Sequence, residues 1–373
     1  MRILRVSALI DPVSGGGTAE RTAQLARAMS RAGMQVTVLA TDAGLGHGPA
    51  PEVGGARLEL VPCINRRFLW PRLRRGALDA LIGRADVVHL CNHWTALNLM
   101  AQRAARRQGK PWVVCPAGAL PIFGRSKALK RAYNALGGRA LVHEAAARIA
   151  ISERETEDFR AYGVDPGTVD VIPNGIEPRD YREGDAEAFR RQHGLGDARV
   201  LLFMGRLNAI KGPDLLLDAF AVAGLSGWTL VFAGPDGGLG AALAVRARDA
   251  GLGARVKFLG WVGGKDKVAA YRAAELVVIP SRQEAMSLVA LEAGACGKPV
   301  LMTDRCGFDA AAQAGGALAV PPDAAALAAA LRELTNGGTL ADMGARLQRL
   351  VLREYAWESA VRRYGALFTR VVR

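Results

Sequence analysis

The chain alternates short apolar segments of strand length with longer segments of helix length, in two successive series. Runs this apolar, without alternating polar residues, are typical of parallel strands that helices cover on both faces. The predicted fold class is therefore α/β, with two doubly wound parallel sheets. The first series is ILRVSALI, QVTVLAT, DVVHL, WVVCP and RIAIS, and the second is RVLLFMG, TLVFAG, VKFLG, ELVVIPS and PVLMTD.

The stretch between the two series divides the chain into domains. It reads VDVIPNGIEPRDYREGDAEAF, where proline, asparagine and glycine interrupt the pattern and charge rises, as is typical of an interdomain connection. We place the boundary near residue 180, which gives an N-terminal domain of residues 1–180 and a C-terminal domain of residues 181–354. Residues 355–373 have apolar positions at helical spacing and predict a final helix.

The chain is strongly basic, with 49 Lys and Arg against 35 Asp and Glu and a formal net charge of +14. This charge favours anionic partners such as nucleotides, lipid-linked phosphates or phospholipid headgroups. Two basic segments, residues 66–75 and 125–131, are either solvated surface or contacts to an anionic membrane. A nucleic-acid partner is disfavoured, because aromatic residues make up 6% of the chain and no nucleic-acid recognition motif occurs.

Hydropathy and cysteine usage indicate the compartment. The sequence has no run of 18 apolar residues and no signal-peptide pattern, so we expect a cytoplasmic protein. The basic segments add the expectation of peripheral binding to the inner face of the plasma membrane. The five cysteines are widely spaced and form no CxxC pair, which predicts buried thiols rather than a disulfide framework or a zinc site.

A glycine run follows the first strand, in SALIDPVSGGGTAERTAQLARAM. In doubly wound sheets, ligands bind at the carboxyl ends of the strands, where helix N-termini present free N–H groups. Gly16 and Gly17 would let the backbone approach a phosphate closely. A tight turn without a ligand is the alternative, because the run is not GxGxxG.

The corresponding turn of the second domain contains two cations. In FMGRLNAIKGPDLLLDAF the chain turns at Gly205 and places Arg206 and Lys211 before a helix predicted to begin near Pro213. Arginine offers a bidentate fork and lysine a mobile point charge, so the pair suits a diphosphate. Ordinary loop cations without a ligand are the alternative.

Two glutamates lie eight positions apart in SRQEAMSLVALEAGACGKPV. Glu284 is predicted in a loop after a strand, and Glu292 in a helix that has Ser287 as its N-cap and stops at Gly297. A carboxylate in such an apolar helix is costly to bury without a partner. Ribose hydroxyls would suit Glu292, and sugar hydroxyls would suit Glu284. A structural salt bridge is the alternative for Glu292.

These motifs together resemble the glycogen-synthase-like retaining sugar transferases, glycosyltransferase family 4. The resemblance rests on GRLNAIKG, the E-x7-E spacing, GKPVLMTD, VIPNGIEP and GGGTAERTAQLARAM, and it covers almost the whole chain. It implies the GT-B fold, with two facing Rossmann-like domains and a C-terminal helix that crosses back to the N-terminal domain. It also implies that the N-terminal domain binds the acceptor and the C-terminal domain binds a nucleotide sugar.

The resemblance further implies a reaction and a role for each site residue. Such an enzyme moves a hexosyl group from a nucleotide-diphosphate sugar to a glycan or lipid-linked acceptor, with retention of configuration and without a metal or other cofactor. Bacterial envelope or exopolysaccharide synthesis is the expected setting. Arg206 and Lys211 would bind the diphosphate, Glu292 the ribose and Glu284 the transferred sugar. Further donor contacts would come from Gly16, Gly17, Gly205, Met286, Ser287 and Leu288.

The chain departs from the family pattern at three places. HLCNHW has Cys91 where a histidine is common, CPAGAL has Ala117 in another histidine position, and EAMSLVALE has Met-Ser where Phe-Gly is frequent. His93, at the end of a predicted strand, is the best remaining candidate for an active-site histidine, with a structural role as the alternative. His89 is expected in the core.

Rival functions fit the sequence less well. A nucleotide-sugar epimerase of the same architecture would need more acid and base residues than the histidines provide. A nicotinamide dehydrogenase would need GxGxxG and an acid about 20 residues later, which neither domain shows. A nucleic-acid-binding protein would explain the charge but none of the motifs. Glycosyl transfer is therefore the preferred prediction.

Overall fold

The computed structural model describes residues 1–46, 51–122 and 126–373, and it divides into two compact units. The first unit comprises Met1–Gly175 together with Trp357–Arg373, and the second comprises Ile176–Ala356. The division at Gly175 lies close to the boundary placed near residue 180. Each unit has its own parallel sheet and its own hydrophobic core.

The described residues of the first unit form a seven-stranded parallel sheet and a two-stranded antiparallel hairpin. The strands in chain order are β1 Arg2–Val6, β2 Gln35–Thr41, β3 Arg57–Val61, β4 Cys63–Asn65, β5 Trp70–Pro71, β6 Val87–Cys91, β7 Trp112–Cys115, β8 Ala147–Ala150 and β9 Asp170–Val171. The hairpin is β4-β5, and the sheet order is β3-β2-β1-β6-β7-β8-β9. Every residue of β6 and β7 is buried, as expected for central parallel strands covered on both faces.

Helices connect these strands. The α-helices that precede the second unit are α1 Pro12–Gly15, α2 Gly17–Arg31, α3 Arg75–Arg84, α4 Ala96–Arg107, α5 Lys127–Tyr133, α6 Arg139–His143 and α7 Glu153–Thr156. A π-helical turn, Asn134–Gly138, joins α5 to α6, and a 3-10 turn, Glu157–Tyr162, follows α7. The helix α4 begins at Thr95, whose hydroxyl accepts the N–H of Asn98 at 3.1 Å.

The second unit has a six-stranded parallel sheet in its described residues, ordered β12-β11-β10-β13-β14-β15. The strands are β10 Arg199–Met204, β11 Trp228–Ala233, β12 Val256–Gly260, β13 Leu276–Ile279, β14 Val300–Thr303 and β15 Ala317–Val320. The helices are α8 Ala186–Gln192, α9 Pro213–Ala223, α10 Gly240–Asp249, α11 Gly264–Ala273, α12 Leu288–Ala295, α13 Asp309–Gln313, α14 Ala324–Asn336 and α15 Leu340–Glu354. A 3-10 turn, Pro178–Tyr181, lies near the start of this unit.

The final helix, α16 Trp357–Val372, belongs to the first unit, where it packs on α2 and β6. The indole N–H of Trp357 donates to Oε1 of Gln24 at 2.7 Å. The rings of Tyr364 and Phe368 lie 5.5 and 5.7 Å from the ring of His89. The apolar stripe of α16 is thus buried against the first unit, and the predicted packing of the final helix is confirmed.

All five cysteines are free thiols. Cys91, Cys115 and Cys306 are buried, as predicted, whereas Cys63 and Cys296 are half-buried. No helix among the described residues combines the length and apolarity needed to cross a lipid bilayer.

Candidate active site

The predicted site residues of the second unit lie in loops at the carboxyl end of its sheet. These loops follow β10, β13 and β14, which are neighbours in the strand order. Because parallel strands end at the same edge, the three loops come together, and their backbones make close contacts. A Cβ atom on Gly212 would lie 2.1 Å from the carbonyl oxygen of Pro280, and one on Gly307 would lie 2.0 Å from that of Ala285.

The turn after β10 depends on glycine. Gly205 has a φ of 148° and donates its N–H to the carbonyl of Ala233 at 2.9 Å. A Cβ atom on Gly234 would lie 1.9 Å from the carbonyl oxygen of Gly205, so both positions favour glycine. Arg206 follows this turn, half-buried, with its Cγ 2.7 Å from where a Cβ atom on Gly237 would stand. The turn therefore fixes the start of the Arg206 side chain.

Polar contacts hold Lys211 in place. The side-chain oxygen of Asn208 accepts the N–H of Lys211 at 3.0 Å, and α9 begins at Pro213, as predicted. Arg282, in the loop after β13, makes a bidentate ion pair with Asp214 at 2.6 and 2.8 Å. These contacts brace the loop after β10 against the loop after β13.

Lys211 and Glu284 form an ion pair. The distance from Nζ of Lys211 to Oε1 of Glu284 is 2.9 Å, and the hydroxyl of Ser281 donates to the same oxygen. The N–H of Glu284 donates to the carbonyl of Arg305 at 2.8 Å. The Lys211 side chain is 34% exposed and that of Glu284 is 8% exposed. The ammonium can thus reach a ligand from solvent, while the carboxylate is held by its neighbours.

The three residues after Ala285 have different environments. Met286 is buried, and Ser287 is the N-cap of α12, with its hydroxyl accepting the N–H of Ala290 at 3.4 Å. This confirms the predicted N-cap. The N–H of Ser287 donates to the carbonyl of Cys306 at 3.0 Å, so this N–H is already engaged within the protein. Leu288 is half-buried.

Glu292 is buried in α12, and its carboxylate is already engaged. Oε1 accepts the hydroxyl of Tyr181 at 2.9 Å and the ammonium of Lys267 at 2.8 Å, and Oε2 accepts the hydroxyl of Tyr271 at 2.5 Å. Burial, followed by the charge of Glu292, raises the pKa of Tyr271 well above its ordinary value, so this tyrosine remains a donor. The structural salt bridge considered from the sequence is therefore present.

In the first unit, the glycine run forms the junction between two helices. Asp11 accepts the N–H of Ser14 at 2.7 Å and caps the short helix α1, which ends at Gly15. Gly16 has a φ of 53° and is the N-cap of α2, and Gly17 is the first residue of that helix. Both glycines thus lie at the N-terminus of a 15-residue helix.

His93 is fully buried in an aromatic cluster. Its ring lies 4.4 Å from that of Trp94 and 5.2 Å from those of Tyr133 and Tyr162, and Nε2 lies 3.0 Å from Oδ1 of Asn134. Burial lowers the pKa of His93 to about 4. This environment favours the structural role that was the alternative for His93, and its role as an active-site histidine stays a prediction.

Two other positions lie near the first sheet, of which His89 is buried and Ala117 is half-buried. His89 is in the core, as predicted, where burial and then the charges of Arg5 and Arg21 hold its pKa well below the ordinary value. Ala117, which stands where a histidine is common in the family pattern, has a φ of 51°. The next N–H, that of Gly118, donates to Glu155.

Sequence reasoning missed Lys267, Tyr181, Tyr271, Ser281 and Asn208. Lys267 and Tyr271 are one turn apart in α11, a spacing that places both on one helix face and that the sequence does contain. Their partner Glu292 lies in a different helix, which local patterns do not reveal. Among the described residues, no three His, Cys, Asp or Glu side chains are grouped to hold a metal ion. Metal independence remains a prediction.

Comparisons with known proteins agree with these motifs. Residues 16–175 match the family model "Glycosyl transferase 4-like domain", and residues 185–349 match "Glycosyl transferases group 1". The chain is 32% identical to D-inositol 3-phosphate glycosyltransferase 1 of Catenulispora acidiphila, over 100% of this chain and 96% of that protein.

Two solved structures share the fold along nearly the entire chain. Sucrose-phosphate synthase from Thermosynechococcus elongatus has a TM-score of 0.83 at 22% identity, covering 100% of this chain and 99% of that one. HepE from Anabaena, solved in complex with UDP-glucose, has a TM-score of 0.79 at 19% identity, covering 99% and 100%. The predicted fold class is confirmed.

Proposed function

The chain belongs to glycosyltransferase family 4, and from that premise we propose that it transfers a hexosyl group from a nucleotide-diphosphate sugar to a glycan or lipid-linked acceptor. The proposal includes retention of configuration and independence of metal ions and other cofactors. The observation that carries it is the 2.9 Å pair of Lys211 and Glu284, with Arg206 in the same loop, at the carboxyl end of the second sheet. A diphosphate bound to Lys211 and a sugar bound to Glu284 would therefore be adjacent.

The cations would act on the leaving group. As the bond to the anomeric carbon breaks, negative charge develops on the nucleoside diphosphate, and Arg206 and Lys211 would stabilise it. Lys211 is partly exposed, so it can bind a phosphate by exchanging its contact with Glu284. Gly205, Gly16 and Gly17 remain proposed backbone contacts to the donor phosphates, since none has a side chain that would block approach.

Glu284 would hold hydroxyls of the transferred sugar. Its position is fixed by Ser281 and by its N–H bond to Arg305, and diphosphate binding to Lys211 would free one acceptor position on Oε1 for a sugar hydroxyl. In this mechanism the acceptor hydroxyl attacks from the face that the diphosphate leaves, and a phosphate oxygen takes its proton. No protein nucleophile is needed, so Glu284 is a positioning group and differs from the nucleophile of a retaining glycosidase.

The nucleobase would lie toward β12. The ribose is assigned to Glu292, whose partners Lys267 and Tyr271 lie in α11, and α11 is the helix that follows β12. Trp261 directly follows β12 and is 49% exposed, and a Cβ atom on Gly263 would lie 2.3 Å from its indole ring. Because Gly263 has no side chain, the indole ring of Trp261 can lie close against the backbone there. Such an exposed ring suits stacking on a base. HepE binds UDP-glucose, which makes uridine the first base to test.

The test is a donor panel. Purified protein would be incubated with UDP-, GDP- and ADP-hexoses, with and without EDTA, and release of nucleoside diphosphate would be measured. Release from one donor that persists in EDTA, with an anomeric configuration in the product that matches the donor by NMR, would support the proposal. Absence of release from every donor, together with absence of a thermal shift with UDP, GDP or ADP, would refute it.

The acceptor side is proposed to include an anionic membrane surface. In the hairpin β4-β5, Ile64, Phe68 and Trp70 are 59, 47 and 53% exposed, and the guanidinium of Arg67 lies 5.5 Å from the Phe68 ring centre. The helix α5 buries none of its residues. Within the second basic segment, Arg125 lies outside the described residues. Exposed aromatic and basic side chains together are typical of surfaces that dock on lipid headgroups.

Vesicle co-sedimentation tests this surface. At low salt, we expect binding to vesicles that contain phosphatidylglycerol and much weaker binding to phosphatidylcholine alone. Phe68→Ser combined with Trp70→Ser should reduce binding, whereas Leu352→Ser, at an exposed apolar position of the second unit, should not. Equal binding to both vesicle types would remove the proposed peripheral location at the inner face of a plasma membrane and weaken the proposed role in envelope or exopolysaccharide synthesis.

A second class of acceptor has support from the comparisons. The relative that is 32% identical over the whole chain carries the name D-inositol 3-phosphate glycosyltransferase 1. A small phosphorylated polyol would suit a chain of net charge +14 as well as a lipid-linked phosphate does. Adding D-inositol 3-phosphate to the donor assay distinguishes the two, because only an accepted polyol would accelerate release of nucleoside diphosphate.

A further inference from the structure

The carboxylate of Glu292 is surrounded by donors from separate elements. Tyr181 comes from the 3-10 turn at the start of the second unit, while Lys267 and Tyr271 come from α11. Lys267 and Tyr181 share Oε1, and Tyr271 binds Oε2. The ammonium of Lys267 also lies 5.7 Å from the centre of the Tyr181 ring. The four side chains form one cluster, which we call the Glu292 cluster.

The charges within the Glu292 cluster are balanced by Lys267. The two tyrosines are buried, and the side chains of Glu292 and Lys267 are 7 and 16% exposed. A buried carboxylate is costly without a counter-charge, and tyrosine hydroxyls provide hydrogen bonds but no charge. The ammonium at 2.8 Å therefore balances the charge of the Glu292 carboxylate where solvent is nearly excluded.

The cluster also leaves Glu292 able to accept another donor. An ionised carboxylate has about four acceptor positions on its two oxygens. Lys267 and Tyr181 occupy two positions on Oε1, and Tyr271 occupies one on Oε2. One acceptor position on Oε2 is thus left for a ligand hydroxyl, provided that the carboxylate keeps its charge and its orientation.

We propose that Lys267 is a positioning residue for ribose recognition, which acts by balancing the charge of the Glu292 carboxylate and orienting it so that it accepts a ribose hydroxyl of the donor nucleotide. This inference rests on the proposed function and assigns part of it to a residue outside the recognised motifs. It predicts that the enzyme distinguishes ribonucleotides from 2′-deoxyribonucleotides, and that Lys267 is needed for the distinction.

The expected difference in affinity between a ribonucleotide and its 2′-deoxy counterpart follows from the strength of a hydrogen bond to a charged group. A hydrogen bond to a charged group contributes enough to change a dissociation constant by about 10- to 100-fold. Wild-type protein should therefore bind a ribonucleoside diphosphate about 10- to 100-fold more tightly than its 2′-deoxy counterpart. In Lys267→Met most of this difference should vanish, while the affinity for the deoxy form should change by less than about threefold.

The experiment is calorimetric titration of wild type and variants with UDP, GDP and ADP and with dUDP, dGDP and dADP. Lys267→Arg keeps a cation and should restore part of the ribose preference. Lys265→Met is the matched control, because Lys265 is an exposed lysine in the same turn of α11, and it should behave as wild type. A full ribose preference in Lys267→Met would overturn the inference. Equal weakening of ribo and deoxy forms would also overturn it, since that is what a merely structural lysine predicts.

A second set of variants tests the same role if Lys267→Met folds poorly. Glu292→Gln removes the buried charge, and the double variant Lys267→Met with Glu292→Gln removes both charges of the pair. If the two residues act as a unit, the double variant should lose no more ribose preference than Glu292→Gln alone. Clearly additive losses would contradict a shared role.

The outcomes distinguish a failure of the proposed function from a failure of the role of Lys267. Wild-type protein that binds none of the nucleoside diphosphates and hydrolyses none of the sugar donors would refute both the proposed function and the role of Lys267. Wild-type protein that binds ribonucleotides, together with Lys267→Met that retains the preference for ribose, would refute the role of Lys267 alone.

Discussion

The two units differ in how they hold ionisable side chains near the carboxyl ends of their strands. In the second unit, Glu284 and Glu292 are each paired with a lysine, and the Lys211 side chain is 34% exposed. A ligand can exchange with this exposed cation. In the first unit, His93 is fully buried in an aromatic cluster. The difference indicates that charge chemistry is concentrated in the second unit.

Further buried groups support this view of the first unit. Arg5 has no exposed surface, and its guanidinium contacts Nδ1 of His89 at 2.8 Å. Arg21 in α2 donates to Asn174 at 2.7 Å and to the hydroxyl of Tyr364 in α16 at 2.9 Å. These arginines link strands of the sheet and the helices that cover it through hydrogen bonds. Because both are buried, their guanidinium groups make contacts within the first unit.

The largest expected effect is on catalysis in the second unit. Lys211→Ala should lower kcat by about 100- to 1,000-fold with the donor that wild type uses, because it removes about 3 to 4 kcal/mol of stabilisation from the departing diphosphate. Arg206→Ala should act in the same direction. The measurement is initial-rate kinetics, with the melting temperature as a check on folding.

Lys265→Ala serves as the matched control for this change, since Lys265 is an exposed lysine of the same unit. It should retain wild-type kcat. Turnover of Lys211→Ala within about threefold of wild type would remove the contrast between the units.

Substitution of His93 in the first unit is expected to lower stability and to leave catalysis nearly unchanged. His93→Ala leaves a cavity among Trp94, Tyr133 and Tyr162 and should reduce the free energy of unfolding by about 3 kcal/mol. The kcat of the folded protein should stay within about threefold of wild type. Urea denaturation and initial-rate kinetics measure the two quantities. A variant of normal stability that has lost activity would support His93 as an active-site residue.

Glu155 gives the first unit a pH-dependent stability. Its carboxylate accepts the N–H groups of Gly118 and Ile151, and burial raises its pKa to about 7, above the ordinary 4.5. The folded protein therefore binds this proton more tightly than the unfolded chain does, so its contribution to stability is lost as pH rises from about 5 to 7.

Glu155→Gln cannot titrate, so the free energy of unfolding of the variant relative to wild type should rise by about 2 kcal/mol between pH 5 and pH 7. Chemical denaturation of both proteins at the two pH values measures this, and comparing differences cancels the other titrating groups. A difference that does not change with pH would show that Glu155 is ionised throughout.

The smallest effect is expected for Trp261→Ala. Loss of stacking on the base should raise the dissociation constant of the nucleotide about threefold to tenfold, with kcat unchanged. Calorimetric titration provides the measurement, and Val222→Ala, at another exposed position of the second unit, should have no effect. Wild-type affinity in Trp261→Ala would place the base away from the end of β12.

Much of the fold could be predicted because its signals are local. The ten apolar runs all became parallel strands, and the starts of α9 and α12 were set by Pro213 and by Ser287 as N-cap. The strands β3, β4, β5, β9 and β15 were missed. Charged residues interrupt the apolar ones in RLELV of β3, the strands β4, β5 and β9 have two or three residues each, and ALAV of β15 lies in an alanine-rich stretch. Such short or interrupted segments do not stand out as the continuous apolar runs that identify central parallel strands.

The sequence by itself determined the class of fold, the two domains with a final helix, and the loops in which Gly205, Arg206, Lys211 and Glu284 occur. Helix and strand propensity, helix caps and the spacing of apolar residues act over a few residues, so the sequence alone reveals them. Only the tertiary structure decided the partners of each charge. It paired Glu292 with Lys267 from another helix, and it buried His93 behind aromatic side chains brought from distant segments. Burial and ion pairing depend on contacts between residues far apart in the chain, and no local pattern encodes them.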